Sequence, residues 1–272
     1  NKETKRQHFV PRTYLKNFAQ KHKKTFKINV VEIANLSKLF FTNIINVCLE
    51  NDFYTLNGKT KEERLLIESF YSDLIEDQYD EIYKILIDPS KREITPEIHE
   101  KIISCVITMM YRTTRWVHLH NEFMNKVLEK MFSLCQQTNK DYFIYEGERY
   151  SIANKSLKQL QCEFRERAKM YQIVLQIDVA LRLISIRHYD GILVSKLLDE
   201  NHMITSDNPV TLSNLQGGRI APFDPENMIS LPLDSKHLLT IMPHSESAGL
   251  HHITRINATG GISVGKMISN NA

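Results

Sequence analysis

His8, Arg112 and His118 are the side chains of this 272-residue chain best suited to moving protons and meeting phosphate charge. His8 stands in the run Gln7-His8-Phe9-Val10-Pro11-Arg12-Thr13-Tyr14-Leu15-Lys16-Asn17-Phe18-Ala19. Pro11 fixes its own φ and biases Val10 towards extended backbone, which puts His8 in an extended lead-in. Tyr14, Leu15 and Phe18 then recur at helical spacing and predict a short amphipathic helix docked on a core. The turn between them would hold an imidazole, which titrates near neutrality, at a fixed place. Five residues separate Arg112 from His118 in Arg112-Thr113-Thr114-Arg115-Trp116-Val117-His118. On one helix such a pair supplies a cation for phosphate and a base for a ribose 2′-hydroxyl.

Carboxylates extend the set. Glu50, Asp52, Glu68 and Asp207, joined by His8, are the groups a divalent-metal phosphodiesterase needs, with Mg or Mn held by Glu50 and Glu68. Asp207 belongs to a third polar run, Ile204-Thr205-Ser206-Asp207-Asn208-Pro209-Val210. The same residues also fit a purely structural role. An Asp before Asn-Pro bonds its own backbone in a turn, and Glu50 and Asp52 suit the end of a hairpin. Arg112 and Asp207 would then be a buried ion pair, with His8 and Asn17 bonding backbone between layers, because buried charges must be paired.

The runs carry resemblances. His8-Phe9-Val10-Pro11-Arg12-Thr13-Tyr14-Leu15-Lys16-Asn17-Phe18-Ala19, Tyr111-Arg112-Thr113-Thr114-Arg115 and Ile204–Val210 together resemble the bacterial family catalogued as domain of unknown function 4238. The proline that the family often carries after its Arg-Thr pair is Thr114 here. Members tend to have an acidic residue and an aromatic-Tyr pair near Glu50–Tyr54. The resemblance covers most of the chain and implies a setting in bacterial genome defence. Separately, Arg112 and His118 are similar to the active-site pair of the HEPN ribonucleases, whose helices pair across a dimer. The first family's motif stresses Arg112 rather than a histidine.

Two functions stay open on these residues. One is a phosphodiester-cleaving, nuclease-type effector of bacterial defence or toxin type. Its catalytic residues would be His8, Arg112 and Asp207, its substrate-binding residues Arg12, Tyr14, Asn17 and Asn208, and its metal ligands Glu50 and Glu68. The other is a non-catalytic module that binds nucleic acid or protein and holds a buried polar network. A partner protein or a homo-oligomer fits either.

Composition sets outer bounds. A net charge of +3 is too small to imply a nucleic-acid partner, yet Lys2, Lys5, Arg6, Arg12, Lys16, Lys21, Lys23 and Lys24 concentrate cations near the N-terminus. Cys48, Cys105, Cys135 and Cys162 show no metal-ligand spacing and predict reduced thiols in a cytoplasmic protein. Ile102–Met110, the greasiest stretch, is too short to cross a bilayer, so no membrane role is expected. His251-His252 and His118/His120 lack acidic or Cys companions, and Gly217-Gly218 lacks a phosphate-loop lysine.

The elements that must position these groups read as α+β. Strands are expected over Thr25–Ile33, Phe40–Leu49 and Phe53–Leu56, with turns at Asn51-Asp52 and Asn57-Gly58. Thr60-x-x-Glu63 is a capping box that opens a helix reaching Asp88, and Thr95-Pro96 opens the next as N-cap and first-turn proline. That helix is expected to carry Arg112 and continue towards Leu134. A strand pair is expected around Glu146-Gly147, then a helix from about Ser156 to Ile186, interrupted around His188–Gly191. Further strands follow at Met203–Leu212, Met228–Leu233 and Leu238–Met242, with a frayed end from Gly260. The chain reads as one α+β domain. Residues 1–58 form an N-terminal helix and strands, 60–197 a bundle of long helices, and 202–272 C-terminal strands, the two sets of strands sharing a small mixed or antiparallel sheet.

Overall fold

In the computed structural model, which describes residues 6–56, 59–214, 216–244 and 251–259, the class is α+β. β1 (Arg6–His8) leads through Pro11 into α1 (Arg12–Leu15), followed by a 3-10 turn at Lys16–Phe18. β2 (Gln20–His22), β3 (Thr25–Glu32) and β4 (Asn35–Asn43) form an antiparallel meander. A 3-10 turn at Ile44–Asn46, capped by the Asn43 side chain, precedes β5 (Leu49–Asn51). β5 pairs antiparallel with β1 and sets Gln7 opposite Glu50. Phe53 and Tyr54 are buried in a turn rather than a strand.

The capping box forms as the sequence predicts: the Thr60 side chain accepts from Glu63 N while the Glu63 side chain reaches back. The helix it opens is broken into α2 (Lys61–Arg64), α3 (Leu66–Tyr71), a π-helical turn at Ser72–Glu76 and α4 (Asp77–Ile87). α5 (Pro96–Arg112) starts at N-cap Thr95 with Pro96 in its first turn. It stops at Thr113, whose ψ of 159° is extended, and α6 (Thr114–Gln137) begins afresh. β6 (Tyr142–Tyr145) and β7 (Glu148–Ser151) form the expected hairpin, and α7 (Leu157–Arg187) is the long third helix.

The last strands are β8 (Gly191–Leu197), β9 (Thr211–Asn214), β10 (Asn227–Pro232), β11 (His237–Met242) and β12 (Ile253–Ala258). They make a mixed sheet in the order β12-β8-β11-β10-β9, antiparallel except for the parallel β12–β8 pair. The N- and C-terminal strands therefore fall in separate sheets, not in one. β8 lies where the sequence suggested the end of a helical block. Its Ile192, Val194 and Leu197 are buried, and a short apolar run of this kind has no period that separates strand from helix. The expected Asn57-Gly58 turn and the end from Gly260 lie outside the described residues, as do Lys2 and Lys5.

The chain divides into two compact units, 1–113 with 177–272, and 114–176. In the first, α5 is the central helix, with Ile102, Ile103, Val106, Ile107, Met109 and Met110 all buried. The second has its own core of Met124, Leu128, Phe143, Leu160 and Phe164, contributed by α6, the β6–β7 hairpin and the start of α7.

Candidate functional site

Three polar motifs from distant parts of the sequence meet in the first unit, and a triangle of hydrogen bonds joins them. Arg112 Nη2 donates to the His8 carbonyl at 2.7 Å. The Thr113 hydroxyl lies 3.1 Å from Asn208 Oδ1 and 3.2 Å from the Met110 carbonyl, which its single hydrogen serves in turn. The Tyr14 and Thr205 hydroxyls are 2.7 Å apart. Each side of the triangle spans about 90 residues of sequence or more, so no local pattern announces it.

Arg112 is the hub. Its side chain is only 3% exposed and bonds Glu76 Oε1 at 2.9 Å through the same Nη2. The guanidinium lies over the rings of Tyr71 at 5.2 Å and Tyr54 at 5.8 Å, in cation–π geometry. The Tyr54 hydroxyl donates to the Arg112 carbonyl, which is one of the helix-end acceptors that α5 itself leaves open. The π-helical turn is what brings Glu76 here. Its wider winding re-aims the side chains of a helix that the capping box started in ordinary α geometry.

Gln7 locks the neighbouring strand. Its Oε1 accepts from Tyr54 N, and its Nε2 donates to Thr55 Oγ1 at 3.1 Å and Glu68 Oε2 at 3.0 Å. Glu68 thus anchors Gln7. Among the described residues, no three His, Cys, Asp or Glu side chains gather in a way that could hold a metal ion. Glu50 and Glu68, the expected metal ligands, therefore belong to no such group.

Several polar atoms around the hub are buried yet have no hydrogen-bond partner among the described residues: Arg112 Nε and Nη1, the Tyr71 hydroxyl and His8 Nε2. Tyr54 lies close to the guanidinium without bonding geometry to Nε or Nη1. Leaving a buried polar group without a partner costs about 1–3 kcal/mol. Burial, then the Arg12 guanidinium, lowers the His8 pKa; Arg112 and Arg6 act the same way, and Glu76 opposes them. His8 is half-buried and neutral at neutral pH, one ring nitrogen a donor and the other an acceptor. Burial pushes the Tyr71 hydroxyl up to about 12, so it remains a proton donor. Arg12 is exposed beside this group.

The remaining expected site residues separate by location. Tyr14 is fully buried, and its hydroxyl is taken by Thr205; Asn208 is buried against Thr113. Both link elements instead of facing a substrate. Asn17 Nδ2 has no partner of good geometry although the Tyr79 hydroxyl is near. Asp207 is exposed, and burial followed by its charge pushes the Cys48 thiol up to about 12. Asp207 is not among the charges acting on His8, and the carboxylate partner of Arg112 is the half-buried Glu76. The break at Thr113 takes His118 off the helix that carries Arg112, which removes the one-helix Arg–His pair.

Gln7, Glu76 and Tyr71 were missed in the sequence. Gln7 sits inside a motif but has no titratable chemistry, and Glu76 has no motif at all. All four cysteines are free, and among the described residues no helix is long and apolar enough to cross a membrane. Neither a curated protein nor a solved structure matches the chain. A family model does match, over residues 6–259, and it spans all three motifs that meet at Arg112: the chain belongs to the family described as protein of unknown function DUF4238.

Proposed function

We propose that the protein cleaves RNA phosphodiesters, with His8 as the proton acceptor and the cations around it as phosphate ligands. The observation that supports this reading is the half-buried His8 imidazole, held neutral beside the exposed Arg12 guanidinium. A neutral imidazole takes the proton of the ribose 2′-hydroxyl as that oxygen attacks phosphorus. The 5′ oxygen leaves with a proton from water, and a 2′,3′-cyclic phosphate results. The exposed Arg12 guanidinium meets the charge that develops on the phosphoryl oxygens. Four free cysteines suit a reducing, cytoplasmic setting, and the proposal places the protein there as a defence or toxin effector.

The test is cleavage of end-labelled single-stranded RNA by the full chain, with and without EDTA. We expect EDTA-resistant cleavage leaving cyclic phosphate ends, abolished in His8→Asn at unchanged melting temperature. Intact RNA, or equal cleavage by His8→Asn, would overturn the proposal. The burial of Arg112, Tyr14 and Asn208 also favours a second function, a non-catalytic binding module on a polar scaffold. In that case RNA or a protein is bound, never cut, and His8→Asn binds as the parent does.

A further inference from the structure

The three-stranded meander β2–β3–β4 has one face left to solvent. Cross-strand register places Gln20, Lys27 and Asn43 together on it, then Asn29 opposite Phe41, Val31 opposite Leu39, and His22 opposite Thr25. Residues directly opposite share a face, so this assignment follows from pairing alone. Phe41 is 44% exposed and Leu39 67%. The Lys27 ammonium is held 5.4 Å from the centre of the Phe41 ring.

Charge on this meander is one-sided. Between Gln20 and Asn43 stand Lys21, Lys23, Lys24, Lys27 and Lys38 against a single acid, Glu32, which Lys38 already bonds. Among the described residues, Lys21, Lys23, Lys24 and Lys27 pair with no carboxylate. Lys23 and Lys24 form the turn at one end of the exposed face, and Phe41 lies towards the other. A face meant only for solvent has no need of an exposed ring with a lysine fixed beside it. A face meant for an apolar protein surface has no need of three unopposed cations, Lys27 on the face and Lys23 and Lys24 at its end.

We propose that this face of β2–β3–β4 is a binding platform for single-stranded RNA. A base stacks on Phe41, and the adjoining phosphates meet Lys27, Lys24 and Lys23. The strand must be single because a base inside a duplex cannot leave its neighbours to stack on a ring. Asn29 directly across from Phe41, and Asn43 beside Lys27, offer amide groups to base edges and to the ribose 2′-hydroxyl that distinguishes RNA. The platform stands without cleavage at His8, since a chain that cuts nothing would still bind there.

The experiment is fluorescence anisotropy with the full chain carrying His8→Asn, so that the ligand survives whatever His8 does. The probe is a labelled oligouridine of about twelve nucleotides, a length within the site sizes of stacking platforms. The same sequence as DNA and an RNA duplex serve as comparisons. We expect salt-sensitive binding of the RNA and weaker binding of the DNA and the duplex. Phe41→Ala should weaken RNA binding about tenfold or more, the effect of losing one stacked base. The triple variant Lys23→Ala, Lys24→Ala, Lys27→Ala should flatten the salt dependence. Phe40→Ala, on the opposite face, should leave affinity unchanged, and melting midpoints verify that each variant is folded. Absence of RNA binding, a folded Phe41→Ala variant of undiminished affinity, or equal binding of DNA or duplex overturns the proposal. Loss of cleavage in His8→Asn with binding intact bears only on His8.

Discussion

Arg112 donates through Nη2 to the carbonyl oxygen of His8, 104 residues earlier in the chain and 2.7 Å away. The same nitrogen bonds Glu76, so one buried guanidinium fixes both the strand carrying His8 and the π-helical turn. Removing it leaves the His8 carbonyl without its donor, Glu76 without its cation, and a void between Tyr54 and Tyr71. His8 and Glu76 each lose a charge-assisted hydrogen bond worth about 1.5–3 kcal/mol. Arg112→Ala should lose stability of that order in urea unfolding, and Arg112→Lys should recover only part of it, because an ammonium lacks the planar fork. A loss below about 1 kcal/mol, smaller than a typical net contribution from one such hydrogen bond, would show that the hub is not structural.

His8 should titrate below the ordinary imidazole value of about 6.5. Burial is the first cause and Arg12 the second. Arg12 is exposed, so Arg12→Gln removes a lowering influence without opening the core. The expected result is an upward shift of the His8 ring signal in an NMR titration, with the acid limb of any cleavage profile moving the same way. An unmoved titration would mean that Arg12 does not act on His8.

The parts of this fold that were legible in the sequence are those with a local cause. Thr60-x-x-Glu63 and Thr95-Pro96 both cap helices as their chemistry requires, and β3 and β11 lie where alternation or an apolar run placed them. Thr113 was not legible. The residues on either side of it continue a helical pattern, and the stop coincides with a tertiary bond to Asn208, 95 residues away. The site divides the same way. His8 and Arg112 announced themselves as residue types, whereas the partner of Arg112 is fixed by a π-helical turn that no spacing encodes, so Glu76 and not Asp207 fills that place. β12 pairs parallel with β8 and so depends on a distant strand, which gives it no hairpin signal of its own.

Thr113 offers a clean probe of the helix break. Its hydroxyl lies between the Met110 carbonyl and Asn208, all in the buried interior. Thr113→Val keeps the shape and removes the hydroxyl's hydrogen bond, at a cost of about 0.5–1.5 kcal/mol. Amide exchange should quicken around Asn208, which loses its tie to α5. Wild-type exchange and stability in the variant would show that α5 ends at this point for another reason.

His99 predicts how stability depends on pH. Its ring is 3% exposed, and Nε2 lies 2.9 Å from the Asp190 carbonyl, an acceptor, so Nε2 carries the hydrogen. In the neutral ring Nδ1 must then accept, and it faces His251 Nδ1 at 3.2 Å. Protonating His99 would set a second N–H against His251 inside a desolvated site. Burial accordingly lowers its pKa, helped by His251 and His188 and opposed by the bond to Asp190. A depressed histidine binds its proton more readily in the unfolded chain, so its contribution is intact above about pH 6.5 and is lost as pH falls towards the folded value. Stability measured by urea unfolding should therefore decline between about pH 7 and pH 5.5. His99→Gln should flatten that decline, leaving a residual slope from His8, which is depressed in the same sense. A decline equally steep in the variant would remove His99 as its source.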